Sequence, residues 1–380
     1  MIASQEAQAR AALQNAKRIV VKAGTRVLVG PSGRPDGRRI GALVRSIAQL
    51  KADGRQVILV SSGAIGSGMD TLGFKRRPKD VSGLQMCAAV GQTQLMSIYA
   101  RLFATHGLHV GQVLLTHEDL RHRGRHLNAR NTMLRLLRQG IVPIVNENDV
   151  VSVDEIRVGD NDVLAALVSL LVEAELLVLL STTDGLKRRT NTAEERVSYV
   201  PAIDDHILGL ASGKGSELSS GGMATKLRAA AMLLQDGAAV VIADGRKSSV
   251  LERVLSGKDV GTLFGLANNA GEALGSRRKW LEFFQRPSGT LIIDRGAGDA
   301  LRLRGKSLLP VGVLRVDGKF EAGAVVNVAD TDGEILARGL CSYSSHEMSK
   351  ICGHSSEVIE TILGVVNQEE AIHRDNMVLL

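Results

Sequence analysis

The 380-residue sequence is poor in cysteine, in aromatic residues and in long apolar runs. Its three cysteines, Cys87, Cys341 and Cys352, are too few and too widely spaced for a disulfide framework or a zinc site. The longest nearly apolar run, residues 163–172, is about half the length of a membrane span. The first 17 residues contain no apolar signal core. We therefore expect a cytoplasmic protein that does not enter a membrane.

Aromatic residues make up only 3% of the sequence, and those in the first 280 residues are dispersed. Stacking of single-stranded nucleic acid needs several clustered rings, so the sequence argues against that class of ligand. The charge is uneven, because residues 281–380 carry 10 Lys and Arg against 14 Asp and Glu, a net charge of −4. The whole chain carries +7, which leaves +11 for the first 280 residues. Such a basic excess is typical of proteins that bind phosphorylated or carboxylate ligands, and it also suits nucleic acid.

Short apolar runs rich in β-formers alternate with longer helical patterns up to about residue 270. Strands that are apolar on both faces and separated by helices predict a mainly parallel sheet covered by helices. Ligands of such sheets bind beyond the carboxyl ends of the strands, so the residues that follow each strand are the candidates for chemistry. The runs that predict strands are Arg18–Leu28, Val57–Val60, Val110–Leu115, Ile141–Val145, Leu176–Leu180 and Ala238–Ala243.

The pattern changes in the last part of the chain. Short alternating runs follow there, interrupted by Asp317-Gly318 and Asp332-Gly333, which are hairpin signals. They predict a small antiparallel barrel or sandwich. A chain of 380 residues also exceeds what one hydrophobic core usually holds. We therefore expect an α/β domain over residues 15–270, a linker over 271–287 and a small β-rich domain over 288–380.

Small residues mark the ends of the first two predicted strands. Lys22 and Gly24 place a charge beside backbone N–H groups that can approach a phosphate, although a solvated lysine and a turn glycine give the same pattern. The run Ser61–Gly68 lets the main chain approach a ligand near a helix N-terminus, and a flexible turn is again the alternative. Neither is a Walker A loop or a dinucleotide fingerprint, and no such motif occurs in the chain.

Acidic and amide side chains cluster at two further places. Asn146–Asp149 follow the fourth predicted strand, and Gly159–Asp162 open the next helix. One of Asp160 and Asn161 is interpreted as a helix cap, but three polar residues in a row exceed what capping needs. Carboxylates and amides near lysines suit a zwitterionic amino-acid ligand, which predicts that these two segments bind one.

A glycine-rich segment, residues 212–226, ends in the start of a predicted helix. Gly221 and Gly222 are followed by Thr225 and Lys226 in the first helical turn. Free N–H groups, a hydroxyl and an ammonium together predict a phosphate site. The alternative is a plain linker, but a linker that ends on a lysine in the first turn is unusual, because the helix dipole disfavours a cation there.

Seven motifs occur in the order and spacing of one known family. With VVKAGT, SSGAIGSG, AAVGQ, NARNT, PIVNEND, VGDND and SSGGMATK, the chain resembles the glutamate 5-kinases of the amino acid kinase family. LLPVGV, GEILARGL and a late HRDNM resemble the PUA domain that is appended to many of these kinases. The similarity extends over residues 17–377. It implies an αβα sandwich with a mainly parallel sheet, followed by a small β-rich PUA domain.

The resemblance implies ATP-dependent phosphorylation of the side-chain carboxylate of L-glutamate, the first step of proline biosynthesis. It implies Mg²⁺ held mainly by the nucleotide phosphates, with no metal site of protein residues. It further implies a homo-oligomer (a dimer or tetramer), proline as a feedback inhibitor and contact with the downstream glutamyl phosphate reductase. A carboxylate is already ionised at neutral pH, so the reaction needs no general base, and the lack of a well-placed catalytic His or Cys is expected.

Roles for single residues also come from the resemblance. It implies that Lys22 and Lys226 bind the transferring phosphoryl group and that Asp162 holds the two lysines in place. The residues that it places around glutamate are Ser62, Asn146, Asp149, Asp160 and Asn161. Those that it places around ATP are Lys22, Gly24, Ser181, Thr182, Ser220, Gly221, Gly222, Met223, Ala224, Thr225 and Lys226.

Two positions depart from the family pattern. Thr182 stands where the family has an acidic residue and Lys187 where it has an aromatic one, which leaves the base and ribose contacts, and hence nucleotide preference, open. The resemblance assigns no counterpart to the dozen or so N-terminal residues, which are interpreted as a frayed helix. Two rival functions are another carboxylate or carbamate kinase of this family and RNA binding through the PUA domain. The net charge of −4 over residues 281–380 disfavours RNA, because affinity for a phosphate backbone needs cations.

Overall fold

A computed structural model of the chain describes residues 2–30, 34–151, 161–189, 193–210, 222–265, 287–364 and 369–380. Backbone contacts divide the chain into two units, residues 1–273 and 274–380. The predicted linker, residues 271–287, lies almost wholly outside the described residues.

Eleven helices lie in the described residues of the first unit. They are α1 (Ile2–Ala12), α2 (Thr25–Leu28), α3 (Gly37–Ala52), α4 (Ala64–Thr71), α5 (Val81–Ala104), α6 (His117–Arg121), α7 (Arg123–Arg138), α8 (Asn161–Val172), α9 (Asp205–Leu210), α10 (Met223–Leu234) and α11 (Val250–Leu255). Side-chain caps explain two of the starts: the carboxylate of Asp36 accepts hydrogen bonds from backbone N–H groups at the start of α3, and that of Asp80 does so at the start of α5.

The strands of the first unit share one central sheet, except for a separate two-stranded hairpin. In the described residues they are β1 (Arg18–Ala23), β2 (Gln56–Ser61), β3 (Val110–Leu115), β4 (Val142–Glu147), β5 (Leu176–Ser181), β6 (Lys187–Arg189), β7 (Glu194–Arg196), β8 (Tyr199–Val200), β9 (Ala239–Asp244) and β10 (Thr262–Phe264). The hairpin is β6 with β7, and the sheet has the order β3-β4-β2-β1-β5-β9-β10-β8.

The six strands from β3 to β9 in this order run parallel, and only the pairing of β9 with β10 is antiparallel. Strands β1, β2, β4, β5 and β9 are buried over nearly their whole length, as expected for a sheet with helices on both faces. The predicted α/β fold with a mainly parallel sheet is therefore confirmed. One strand was predicted too long: β1 ends at Ala23, and Thr25–Leu28 form a helical turn whose apolar Val27 and Leu28 are buried.

The N-terminal helix α1 is not frayed, contrary to the prediction from the sequence. Its Arg10 is only 4% exposed. The guanidinium is 2.8 Å from a carboxylate oxygen of Glu6 and 2.9 Å from one of Asp259, and it donates a 2.8 Å hydrogen bond to the carbonyl oxygen of Ser198. The buried guanidinium of Arg10 thus fixes α1 to Ser198, just before β8, and to Asp259, just before β10.

The second unit is built around a five-stranded sheet in the order β12-β11-β13-β14-β15. Its described elements are β11 (Gly289–Ile293), α12 (Arg295–Arg304), β12 (Val313–Gly318), β13 (Val325–Ala329), β14 (Ile335–Leu340), α13 (Ser345–Ile351), α14 (Ser356–Leu363) and β15 (Met377–Leu379). Asp332-Gly333 joins the antiparallel pair β13–β14, as predicted. Asp317-Gly318 makes no such hairpin, because β12 pairs with β11, which is parallel to β13. Within the described residues of both units, every helix is too short or too polar to cross a membrane.

Candidate active site

The candidate site lies at the carboxyl ends of the central strands of the first unit. Lys22, near the end of β1, is in register with Val60 of β2 and with Leu179 of β5. Helix α8 begins beside these strand ends with Asn161 and Asp162, and α10 begins with Met223. The topology therefore brings together segments from three distant parts of the sequence, around residues 22–60, 161–181 and 223.

Three buried charged side chains form the centre of the site. The ammonium of Lys22 is 2.6 Å from one carboxylate oxygen of Asp162, and that of Lys226 is 2.8 Å from the other. The exposed fractions are 6% for Lys22, 4% for Lys226 and 0% for Asp162. Two cations and one anion leave one net positive charge in these three side chains, in a place where water screens it poorly.

The ionisation of Asp162 depends on the two lysines. Burial by itself raises the pKa of this carboxyl, but the charges and hydrogen bonds of Lys22 and Lys226 together outweigh burial. The pKa of Asp162 therefore lies below its usual value. The carboxylate stays charged at neutral pH and can hold both ammonium groups.

The first turn of α10 adds neutral groups to this centre. Gly222 precedes the helix in an extended conformation, and among the described residues no side chain caps the helix start. The hydroxyl of Thr225 donates 3.1 Å to Asp162 and lies 2.9 Å from the carbonyl oxygen of Gly222. Met223 and Ala224 complete the turn, of which Ala224 is exposed. Backbone N–H groups at a helix start attract anions, so this turn extends the positive region of the charged centre.

A second group of side chains, all neutral, lies next to the charged centre. The amide nitrogen of Asn161 donates to the Ser62 hydroxyl at 2.7 Å and to the amide oxygen of Asn146 at 3.2 Å. The amide nitrogen of Asn146 in turn donates to the amide oxygen of Gln92 at 3.0 Å. We call Asn161, Asn146 and Gln92 the amide relay.

Close approach of two helices places Gln92 in this relay. Gly63, with φ of +112°, makes the left-handed turn that starts α4. A Cβ on Gly91 of α5 would overlap the backbone of Ala64 and Gly68, and one on Gly68 of α4 would overlap the backbone of Cys87. The glycines therefore allow backbone-to-backbone packing of α4 on α5, which brings the residue after Gly91 close to the strand ends.

A cavity of about 390 Å³ lies beyond the ends of β5 and β9. The guanidinium of Arg246 closes one side, with hydrogen bonds to both carboxylate oxygens of Asp244 and to the carbonyl oxygen of Thr182. Hydrogen bonding to Arg246 is also the main reason why the pKa of Asp244 is lowered. The lining residues are Thr182, Thr183, Asp184, Lys187, Asp244, Arg246 and Lys247.

Most of the residues predicted from the sequence lie in these three places. Gly24 lies beside Lys22, where a Cβ would be 3.5 Å from the ammonium, and its N–H donates to Leu180 at the end of β5. Ser181 is the last residue of β5. Asp149 is half-buried in the turn after β4. Predicted residues that lie outside the described residues are Asp160, Ser220 and Gly221.

Gln92 is the residue that reasoning from the sequence missed. It belongs to the motif AAVGQ, but the sequence pattern indicates no role for it. The signal was a polar residue in the middle of an otherwise apolar helix face, directly after a glycine: Gly91 and Gln92 are both buried in α5. A buried amide needs hydrogen-bond partners, so its position alone indicated a polar neighbour from elsewhere in the chain.

Comparisons with known proteins show what this chain is similar to. Residues 17–244 match the model of the amino acid kinase family, and residues 289–363 match that of the PUA domain. Three bacterial proteins named glutamate 5-kinase are similar over almost the whole chain. The protein from Citrifermentans bemidjiense is 44% identical over 371 residues, 97% of this chain and 99% of its own length. Those from Thioalkalivibrio sulfidiphilus and Moorella thermoacetica are 46% and 43% identical, over 98% and 99% of this chain and 100% and 99% of their own lengths.

Proposed function

This chain belongs to the amino acid kinase family, among its glutamate 5-kinases with a C-terminal PUA domain, and we propose that it phosphorylates the side-chain carboxylate of L-glutamate with ATP. The product is L-glutamyl 5-phosphate, in the first step of proline biosynthesis. The observation that carries this proposal is the buried cluster of Lys22, Asp162 and Lys226 beside a neutral hydrogen-bonding group. A net positive charge suits a phosphoryl group in transfer, and the amides suit an amino acid.

The reaction needs placement and charge neutralisation rather than proton transfer. The attacking oxygen belongs to a carboxylate that is ionised at neutral pH, so no general base is required. Two anions must approach each other in line, and their repulsion falls when cations surround the phosphoryl group. Lys22 and Lys226 supply those cations. Asp162 is a positioning residue, because both its oxygens hold ammonium groups.

The amino-acid end of the site is assigned to Ser62, Asn146 and Asn161, which hydrogen bond to one another. Hydroxyl and amide groups can donate to the α-carboxylate or accept from the α-ammonium of glutamate. Asp149 and Asp160 complete this part of the proposal as partners of the α-ammonium.

The nucleotide end is assigned to the start of α10 and to the end of β5. In this proposal Lys22, Thr225 and Lys226 contact the phosphates of ATP, and the cavity beyond β5 takes the rest of the nucleotide. The remaining residues assigned to this end are Gly24, Ser181, Thr182, Ser220, Gly221, Gly222, Met223 and Ala224.

Mg²⁺ is expected to bind through the phosphates. Lys22, Lys226 and Thr225 already contact the oxygens of Asp162, so the described centre offers ammonium and hydroxyl groups that fit a phosphate better than a cation. The metal bound to ATP neutralises charge as the phosphoryl group moves.

The proposal extends to organisation and regulation. The kinase domain spans residues 15–270 and the PUA domain 288–380, joined by a linker over 271–287. We place the protein in the cytoplasm, as a homo-oligomer that proline inhibits and that contacts the reductase which consumes its product. The proposed product is an unstable acyl phosphate, for which direct delivery to a reductase limits hydrolysis.

A hydroxamate assay tests the proposed function directly. Hydroxylamine traps acyl phosphates, so the purified chain is incubated with ATP, Mg²⁺ and one of glutamate, aspartate, N-acetylglutamate or carbamate. We expect hydroxamate only with glutamate, and none without ATP. Turnover of ATP that depends on one of the other acceptors instead would contradict the assignment and favour a different kinase of the family.

A further inference from the structure

We propose that Gln92 is a positioning residue of the amino-acid site, which acts through Asn146 on Asn161 and so controls binding of the glutamate α-ammonium. This inference rests on the proposed function. The residue lies on α5, outside every segment assigned to substrate above, and reaches the site only through the amide relay.

The hydrogen bonds of the amide relay all run in the same donor-to-acceptor direction. Each amide nitrogen donates to the amide oxygen of the next residue, from Asn161 to Asn146 and from Asn146 to Gln92. Because the amide nitrogen of Asn161 is already engaged by Ser62 and Asn146, its amide oxygen is the group left for a ligand. Through these two hydrogen bonds, the amide oxygen of Gln92 thus determines that Asn161 presents an oxygen to a ligand rather than a nitrogen.

Two buried atoms at the ends of the relay lack partners. The amide oxygen of Asn161 and the amide nitrogen of Gln92 have no hydrogen-bond partner among the described residues. A buried polar atom without a partner costs stability, so each needs an explanation. For the Asn161 oxygen, the α-ammonium of glutamate is a suitable donor, because it is charged and its hydrogen bonds are strong.

The amide nitrogen of Gln92 indicates that this residue does not serve only to stabilise the fold. Gln92 is 8% exposed, and a glutamine that served only to stabilise the fold would use both its donor and its acceptor. Here the oxygen accepts from Asn146, while the nitrogen has no hydrogen-bond partner in the described part of the chain. Replacing Gln92 by methionine removes an unsatisfied donor and leaves the Asn146 nitrogen without its acceptor. These two effects oppose each other, so thermal stability changes little.

The test measures Michaelis constants for Gln92→Met with two acceptors, glutamate and glutarate. Glutarate is glutamate without the α-amino group. We expect the glutamate KM to rise about 10- to 100-fold, which is the usual range for a lost charge-assisted hydrogen bond. The KM for ATP and the KM for glutarate should each stay within about twofold, because neither substrate carries the α-ammonium.

Two further variants separate positioning from folding. Gln92→Glu keeps an oxygen in place for Asn146, so it should bring the glutamate KM back to within about threefold of wild type. Gln92→Asn is too short to reach Asn146 and should behave like Gln92→Met. The matched control is Tyr99→Phe on the same helix, which removes a buried 2.8 Å hydrogen bond to Ser61. It should lower the melting temperature and leave both substrate constants unchanged.

Each possible result either supports or refutes the role of Gln92. An unchanged glutamate KM in Gln92→Met, equal rises for glutamate and glutarate, or no recovery in Gln92→Glu would overturn the role of Gln92. A large fall in melting temperature that accompanies losses for ATP and glutamate alike would show a purely structural residue. Wild-type protein that makes no glutamyl hydroxamate at all would instead refute the proposed function, so the two failures are distinguishable.

Discussion

The site is divided into two regions at one peptide bond, between Asn161 and Asp162 at the start of α8. On one side Asp162 joins two ammonium groups, and on the other Asn161 joins only hydroxyl and amide groups. In the proposed function, charge is concentrated where the phosphoryl group moves, and neutral hydrogen bonds lie where glutamate is recognised. The difference suggests that variants of the charged region alter turnover or stability, whereas variants of the neutral region alter substrate affinity.

The largest effect on stability is expected from Asp162→Asn. The change leaves two buried ammonium groups without their counterion, and breaking a buried ion pair in this way costs about 3–5 kcal/mol. Chemical denaturation of the first unit at pH 7 measures the loss. The matched control is Glu118→Gln, which breaks an exposed ion pair with Arg125. The Glu118 side chain is 78% exposed, so this change should cost about 1 kcal/mol or less. A similar cost for both variants would contradict the importance of burial.

Acid should remove the advantage of the wild type over Asp162→Asn. Because the pKa of Asp162 is lowered in the folded protein, its ionisation stabilises the fold above the unfolded-state value near pH 4. That contribution is lost as pH falls through the folded-state pKa. The difference in unfolding free energy between wild type and variant should therefore shrink below about pH 4. A difference that stays constant from neutral to acidic pH would exclude linkage to this carboxyl.

Outside both regions, at the amino-acid end of the proposed site, Asp149→Asn is expected to weaken glutamate binding. The α-ammonium would lose a charged partner at a cost of roughly 2–4 kcal/mol, or about 30- to 1,000-fold in the glutamate KM. The KM for ATP should hardly change. If Asp149 only shapes the turn after β4, melting temperature falls and both constants change together. Both constants and the melting temperature, measured on one preparation, decide between these roles.

The smallest effect is expected from removing residues 281–380. All described residues of both regions lie in the first unit, and a domain with its own core can fold alone. The truncated chain should stay in solution and make glutamyl phosphate with a kcat within about threefold of the full chain. Loss of all activity at matched concentration would show that the site depends on the second unit.

The strands were predictable because their chemistry is local. Five of the six predicted strands of the first unit are found within two residues, since buried β-branched runs end where polar residues begin. The exception is Arg18–Leu28, because a buried apolar run does not distinguish a strand from a short helix. In the second unit the chain passes through α12 between β11 and β12, so local turn signals could not reveal which strands pair.

The contacts of the site were less predictable because they join distant residues. Gln92 and Asn146 are 54 residues apart, and Lys226 and Asp162 are 64 apart. Arg10 illustrates the same limit outside the site. Its partners Ser198 and Asp259 are 188 and 249 residues away, so nothing in the short α1 segment indicates that the helix is fixed. The family motifs predict Asn146 and Asn161 as site residues, but they do not indicate the amide relay that joins these two residues to Gln92.

The most direct test of the division into two regions is the kcat and glutamate KM of Lys226→Ala. Lys226 lies on the charged side, so the variant should lose transition-state stabilisation, with a kcat lower by on the order of a hundredfold or more and a glutamate KM that changes far less. Arg228→Ala, an exposed position on the same helix, is the control and should match the wild type. A Lys226→Ala enzyme that keeps more than half of the wild-type kcat would contradict the account.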